Sequence, residues 1–273
     1  MTIPRLLSIA GSDPSGGAGI QADLKTFLAL DTYGMAVITA ITAQSTRGVA
    51  ASHPLDARLV AEQLDTLLLD ISPDAVKVGM LGSTEIASVV AQRLAGPLAG
   101  TPSVLDPVMV SSSGARLLTD PVSALRELLP LVDVITPNLD EAAALTGTAV
   151  ARTVSDMINQ AEQVAALGAR RVLVKGGHLS QESAAVDVWW DESGPRLLES
   201  PRIPTRHTHG TGCTLSSAIA ALRSRRPSWD DAVSDAKAWL TDTIRGANSL
   251  QVGQGGGPLD HGIHLRGSLD PDR

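Results

Sequence analysis

Short runs rich in Val, Leu and Ile, each followed by a stretch with helical spacing, recur along this chain, and that alternation restricts the fold more than any other feature. Residues 6–10, 35–43, 75–78, 103–105, 132–135 and 171–174 read as strands. Residues 21–30, 56–69 and 84–94 read as helices, with further helices between the later strands. Strand then helix, repeated, is the pattern of βαβ units, which build a mainly parallel sheet. Strands in such a sheet are buried on both sides and read as continuous apolar runs, as these do. The expected fold class is therefore α/β, a mainly parallel central sheet with helices on both faces. Two regions break the rhythm. Residues 185–203 carry Val186-Asp187-Val188-Trp189-Trp190, a Gly194-Pro195 turn and Arg196-Leu197-Leu198, and predict a small antiparallel hairpin at a sheet edge. Residues 253–273 are rich in Gly, Pro and charge, and the last of them are expected to be flexible. With no linker and no internal repeat, residues 1–273 read as one domain.

Composition narrows the function. Aromatic residues make up only 2%, so the core must be built from Ala, Val, Leu and Ile. Net charge is −7 without a basic stripe, which argues against nucleic acid as a partner. No apolar run approaches the length of a membrane span, and the N-terminus lacks the pattern of a signal peptide. A single cysteine excludes an intrachain disulfide framework and a cysteine-based zinc site, and it fits a reducing cytoplasm. Of 22 basic residues only four are lysines: Lys25, Lys77, Lys175 and Lys237. Lysine is a compact point charge suited to phosphate, so a lysine kept in an arginine-rich chain has either a specific task or a plain surface role.

The segment His209-Gly210-Thr211-Gly212-Cys213 leads straight into the apolar-periodic run at residues 214–222. It reads as a tight glycine turn feeding a helix. The first amides of a helix lack intrahelical partners and its dipole end is positive, so such a turn is an anion site. The lone cysteine sits there, where helix amides lower a thiol's pKa and favour thiolate. The alternative is a glycine-containing turn before an ordinary helix, with Cys213 as a small buried apolar residue.

In an open α/β sheet, ligands bind outside the carboxyl ends of the strands. This chain places polar or glycine-rich segments there repeatedly: residues 11–19 after the first strand, Gln44 after the second, Gly79-Met80 after the third, and Asp106-Pro107-Val108-Met109 after the fourth. Thr136-Pro137-Asn138-Leu139-Asp140-Glu141 and Lys175-Gly176-Gly177-His178 follow the fifth and sixth. The stretch Gly17-Ala18-Gly19-Ile20-Gln21-Ala22 also matches the loose G-x-G-x-x-A dinucleotide pattern. The next strand, however, ends in Thr42-Ala43-Gln44 with no acidic residue for a ribose, and the loop from Gly11 is longer than that motif's tight turn. No Walker A pattern is present.

Read together from the first strand to about Gly257, these blocks resemble the ribokinase-like small-molecule kinases, and within them the hydroxymethylpyrimidine/phosphomethylpyrimidine kinases of thiamine biosynthesis. The first block, residues 10–26, and the last, His209 to Thr214, are the most specific. The resemblance implies a ribokinase-like fold and ATP-dependent phosphorylation of a hydroxymethyl group on an aminopyrimidine, then of the monophosphate to the diphosphate. It implies that Gln44 pairs with the pyrimidine's amino group and ring nitrogen, since its amide offers a donor and an acceptor side by side. Asp23, Gly11, Ala18, Met80 and Val108 form the rest of that pocket. Core packing is the competing reading for Met80, and a solvated helix position for Asp23.

For phosphoryl transfer, a protein mainly positions groups and neutralises charge. The resemblance assigns the amides of Gly210, Thr211, Gly212 and Cys213 to the transferring phosphoryl oxygens, and Lys175 to phosphate charge. It sets Asn138, Lys175, Gly177, Gly210 and Gly212 against the nucleotide. Asp106 and Glu141, with Asn138, are oxygen ligands for Mg²⁺, directly or through water. Asn138 and Glu141 also read as a capping box, and both roles are compatible. Most ribokinase-like enzymes have Asp where this chain has Cys213, so the resemblance makes Cys213 the base for the substrate hydroxyl. A homodimer is the accompanying expectation. Alternatives of other kinds are a pyridoxal kinase of the same fold, a non-catalytic pyrimidine sensor, and a cysteine hydrolase pairing Cys213 with His209. One pyridoxal kinase subgroup uses a second cysteine in a lid, and the candidate lid here, residues 110–114, has none.

Overall fold

In the computed structural model, which describes residues 2–109, 121–177, 179 and 184–266, the strand runs come together as one nine-stranded sheet. The elements are β1 (Arg5–Ser12), α1 (Gly19–Ala29), β2 (Tyr33–Ser45), β3 (Gly48–Pro54), α2 (Ala57–Leu68), β4 (Ala75–Val78), α3 (Thr84–Ala95) and β5 (Ser103–Leu105). There follow α4 (Pro121–Leu128), β6 (Val134–Ile135), α5 (Leu139–Thr146), α6 (Val154–Ala166), β7 (Val172–Val174), β8 (Ala184–Asp191) and β9 (Gly194–Pro201), then α7 (Thr211–Arg223), α8 (Trp229–Leu250) and α9 (Ile263–Arg266). The strand order is β3-β2-β1-β4-β5-β6-β7-β8-β9. From β2 to β7 all neighbours are parallel. β3 is antiparallel at one margin, and β8 and β9 are antiparallel at the other.

Strand periodicity explains the layering. Side chains on a strand alternate between faces. Leu7 and Ile9 of β1, Val76 and Val78 of β4, and Val172 and Val174 of β7 enter one core with α2, α3, α4, α5 and α6. Leu6, Ala75, Val104, Val134 and Leu173 enter the other with Phe27 of α1, the apolar face of α7, and Trp229 and Trp239 of α8. β2 lies on one side of β1 and β4 on the other, so the chain reverses direction between them. That reversal opens a crevice at the carboxyl ends of β1 and β4.

The observed elements depart from the expected ones in three places. β3 is additional; its sequence, Gly-Val-Ala-Ala-Ser-His-Pro, has little apolar character because it is a half-exposed edge. β2 runs on to Ser45, so Gln44 lies inside a strand, at an irregularity in the β2–β3 register, rather than after one. The hairpin turns at Glu192 and Ser193, and Gly194 opens β9 with φ 96°. Part of the C-terminal stretch is ordered: Gly255 donates its amide to Thr46 Oγ1 and Gly257 donates to His207 Nδ1. The last residues, 267–273, lie outside the described residues.

A buried ion pair on the α1/α7 face cross-links the frame. Lys77 of β4 donates to both carboxylate oxygens of Asp23 on α1 at 2.8 Å, and neither side chain has any solvent exposure. Asp23 also accepts from Ser8 Oγ of β1 at 2.6 Å and Ser217 Oγ of α7 at 2.7 Å. Removing one partner of a buried pair leaves an uncompensated charge. Lys77→Met is therefore expected to lower unfolding free energy by about 3–5 kcal/mol in chemical denaturation. A loss within the range of ordinary surface substitutions would show that the pair carries little of the fold's stability.

Candidate active site

The crevice is a cleft of about 1230 Å³. It collects Gly11 and Ala18 from the first loop, Gln44 from β2, Met80 after β4, and Asp106 and Val108 after β5. Asn138, Glu141, Lys175 and Gly177 line it from the far side, and Gly210, Thr211, Gly212 and Cys213 from the start of α7. Asp23 is the one expected site residue that does not reach it. Its carboxylate is fully buried behind the wall and accepts from Ser8, Lys77 and Ser217. The resemblance placed Asp23 by its position in α1, one turn past the loop; the side chain points inward because Lys77 lies beneath it.

The first turn of α7 forms one end of the cleft. Gly210 caps the helix with φ 83°, a left-handed conformation that suits glycine, and a Cβ there would fall 1.7 Å from the Gly17 carbonyl oxygen. The two glycine-rich segments are thus in backbone contact. The first intrahelical bond is the donation of Thr214 N–H to the Gly210 carbonyl, so Gly212 and Cys213 supply the leading amides. Thr211 does not join them: its amide donates to the Thr208 carbonyl at 3.2 Å and its hydroxyl to the same oxygen at 2.7 Å. A Cβ on Gly212 would lie 3.1 Å from Lys175 Nζ and 3.3 Å from Asp106 Oδ2, so this position has no side chain where charge must come close.

Lys175 joins two carboxylates beside that turn. Its ammonium donates to Asp106 Oδ1 at 2.8 Å and lies 3.9 Å from Glu141 Oε2. Burial alone would depress the Lys175 pKa, but the two carboxylates raise it, so it stays charged. Asn138 and Glu141 form the expected capping box at the start of α5: the Asn138 amide donates to Glu141 Oε2 and the Glu141 amide to Asn138 Oδ1. Burial pushes Glu141 up to about 7, against the pull of Lys175. Among the described residues there is no cluster of three His, Cys, Asp or Glu that could hold a metal by itself. The carboxylates of Asp106 and Glu141 do fit Mg²⁺, which takes one or two protein carboxylates and fills its shell with phosphate oxygens and water.

Cys213 differs from expectation. Burial pushes its thiol up to about 11, and the charges of Asp106 and Asp23 add to this, outweighing the nearby Lys77 ammonium and the bond from the Gly19 amide. The sequence pointed to a lowered value from the helix amides, but desolvation and two carboxylates dominate. The resting residue is a thiol.

At the other end, Gly11, Met80 and Val108 make an apolar wall; the Met80 sulfur would sit 3.1 Å from a Cβ on Gly11, and the Met80 carbonyl accepts from Thr39 Oγ1 at 2.6 Å. Gln44 is half-buried, with its amide 3.1 Å from His209 Nε2 and 3.2 Å from Thr42 Oγ1. His209 Nε2 lies 2.8 Å from Asp13 Oδ2. Burial alone would raise the Asp13 pKa, but the bonds from His209 and Ser15 hold it below the ordinary value. Asp13 and His209 also line the cleft; motif reading gave Asp13 no role and placed His209 only in the hydrolase alternative. Only their places in the two glycine-rich segments hinted at them, since their contact spans 196 positions of sequence. Lys237 and Asp187, paired at 2.6 Å, also line the cleft and carried no motif signal. His178 and the candidate lid at residues 110–114 lie outside the described residues.

Residues 13–260 match the model of the phosphomethylpyrimidine kinase family. The chain is 49% identical to the hydroxymethylpyrimidine/phosphomethylpyrimidine kinase of Escherichia coli (strain K12), covering 93% of this chain and 96% of that protein. It is 46% identical to the thiamine biosynthetic bifunctional enzyme TH1, chloroplastic, of Arabidopsis thaliana, over 97% of this chain and 51% of that protein. The fold superposes on the pyridoxal kinase of Staphylococcus aureus in complex with AMP-PCP and pyridoxal with a TM-score of 0.88, at 36% identity, covering 97% and 96% of the two chains.

The state of the thiol is directly measurable. With Cys213 titrating at about 11, the thiolate fraction rises roughly tenfold per pH unit throughout the neutral range. Alkylation by iodoacetamide should climb with that slope from pH ~7 to ~10 without levelling off. A plateau below pH ~9 would show that the thiol is activated in the resting cleft.

Proposed function

This chain belongs to the phosphomethylpyrimidine kinase family, and from that premise we propose how its cleft carries out the reaction. The enzyme uses ATP to phosphorylate the hydroxymethyl group of an aminopyrimidine, and then the monophosphate, in thiamine biosynthesis. The observation that carries the residue-level reading is that Gln44, Cys213 and the first turn of α7 open on one cleft. A ring held at Gln44 can then present its hydroxyl beside Cys213 and the anion end.

In this reading Gln44 pairs with the aminopyrimidine edge, and Gly11, Ala18, Met80 and Val108 enclose the ring. The amides of Gly212 and Cys213, with the backbone turn at Gly210, hold the phosphoryl oxygens. Lys175 neutralises phosphate charge, and Asn138 and Gly177 flank the nucleotide. Asp106 and Glu141 would hold Mg²⁺, which when bound would supply positive charge against the phosphate and the thiolate. Asp23 and Thr211 have structural roles. Cys213 is the base. Only a thiolate can accept the hydroxyl proton, and forming it at pH 7 from a thiol near 11 costs about 5 kcal/mol. The reaction therefore runs through a minor ionised form.

The wider reading is one domain, supported by the single sheet, in a cytoplasmic enzyme. Among the described residues no helix is long and apolar enough to cross a membrane. A homodimer completes the reading, supported by the exposed apolar side chains Leu28, Tyr33 and Ile41.

The base assignment makes a sign-definite prediction. The active form is deprotonated, so kcat should rise with pH between about 6 and 9. Cys213→Ala should lower turnover by about 10²–10⁴ and abolish that rise, while ATP binding persists because the amides remain. Gly212→Val should weaken nucleotide handling as well, because its side chain meets Lys175 and Asp106. Near-wild-type turnover in Cys213→Ala would leave Cys213 as a packed thiol. Selectivity is tested by ATP consumption with hydroxymethylpyrimidine, its monophosphate and pyridoxal side by side. Gln44→Leu leaves the ring's polar edge unpaired, at a cost of roughly 1–3 kcal/mol in kcat/KM. Unchanged kinetics in that variant would remove Gln44 from the site.

A further inference from the structure

Two hydrogens in the cleft wall are already committed, and together they decide which way the Gln44 amide points. Asp13 accepts the amides of Ser15 at 2.8 Å and Ala18 at 2.9 Å, and lies 2.8 Å from His209 Nε2. An acceptor of three bonds is a carboxylate, so His209 Nε2 carries its hydrogen and donates it to Asp13. On the other side of Gln44, the Thr42 hydroxyl donates its single hydrogen to the Ser12 carbonyl at 2.9 Å.

Gln44 lies between these two groups, with one terminal atom 3.1 Å from His209 Nε2 and the other 3.2 Å from Thr42 Oγ1. With Nε2 toward the ring, two donors would oppose each other, and the Thr42 oxygen would face Oε1 with no hydrogen left. With Oε1 toward the ring, both contacts are satisfied: the His209 N–H is shared between Asp13 and Oε1, and Nε2 donates to Thr42. Amide orientation is a matter of hydrogen-bond accounting, and here both neighbours give the same answer. One lone pair of Oε1 and one hydrogen of Nε2 remain for a ligand, in a fixed order.

We infer that the Asp13–His209 pair is a positioning device that locks the Gln44 amide, so that the pocket selects a ring bearing an amine donor beside a ring-nitrogen acceptor over a pyridine that lacks that pair. The inference rests on the aminopyrimidine reading of the cleft. It gives His209 a task different from that of a hydrolase histidine: it touches the group that reads the substrate. The His209 ring also packs on the first loop, where a Cβ on Gly17 would fall 2.5 Å from its Cδ2, so the pair is fixed by both glycine-rich segments.

The test compares wild type, His209→Leu, His209→Gln and Asp13→Asn, each with hydroxymethylpyrimidine and with pyridoxal at saturating ATP. In His209→Leu, kcat/KM for hydroxymethylpyrimidine should fall about tenfold more than that for pyridoxal, the scale of a lost hydrogen bond. His209→Gln retains two hydrogens, for Asp13 and for Oε1, and should restore most of the ratio. Asp13→Asn should lose selectivity too, because an amide has one acceptor atom for three donors; it carries the comparison if His209→Leu fails to fold. Equal losses on both substrates, or a ratio that His209→Gln does not restore, would overturn the positioning role. A wild type that prefers pyridoxal overturns the selectivity inference and leaves the enzyme a kinase. A wild type that phosphorylates neither ring overturns the kinase reading, and this inference with it.

Discussion

Lys77 and Asp23 meet with no solvent at either side chain, and the carboxylate is shared by hydroxyls from β1 and α7. Four elements therefore converge on one charge. Ser217, which makes the α7 contact, lies one helical turn beyond Cys213, so the pair fixes the first turn of α7 as well as the sheet beneath it. A buried ion pair recovers its desolvation cost only when its remaining hydrogen-bond positions are filled, and Ser8 and Ser217 help to fill them. Its field also reaches Cys213. The ammonium of Lys77 lowers the thiol's pKa and the carboxylate of Asp23 raises it, so the pair's two charges act on the cysteine in opposite directions.

The second constraint is backbone on backbone. The first loop and the turn before α7 lie far apart in sequence, yet Gly210 rests on the Gly17 carbonyl, and a Cβ on Gly19 would fall 2.3 Å from the Gly11 carbonyl oxygen. The cleft floor is made of main chain at these points. That closeness lets Asp13 on one loop reach His209 on the other and brings Gln44 and the first turn of α7 onto one cleft. Neither segment forms its half of the site alone.

The parallel sheet was legible because its strands, buried on both faces, are apolar in sequence: residues 75–78 and 103–105 match β4 and β5 residue for residue. β3 was not legible, because a half-exposed edge needs no apolar pattern. The strand-end rule located the cleft wall, including Gln44, Asp106, Glu141 and Lys175. It could not show which way a side chain turns. Asp23 has the right position in α1, but Lys77 draws it inward. Thr211 sits in the first turn, but its amide is spent on Thr208. The thiol's pKa was misjudged for a related reason. A helix terminus is visible in sequence, whereas burial and the approach of Asp106 arise only when distant segments fold together.

The lysines connect composition to mechanism. All four are engaged at close range: Lys25 donates to the Gly16 carbonyl, Lys77 meets Asp23, Lys175 meets Asp106 and Lys237 meets Asp187. Arginines make outer pairs such as Arg5–Asp74, where both side chains are over 40% exposed. A guanidinium presents a rigid fork of donors and tends to saturate one carboxylate bidentately, while an ammonium is a compact charge whose donors can rotate. At Lys175 that difference matters. It bonds one oxygen of Asp106, faces Glu141 at longer range, and borders the open position at Gly212. An ammonium there can hold Asp106 in place and still turn a donor toward the cleft. An arginine fork would commit its donors to the carboxylate.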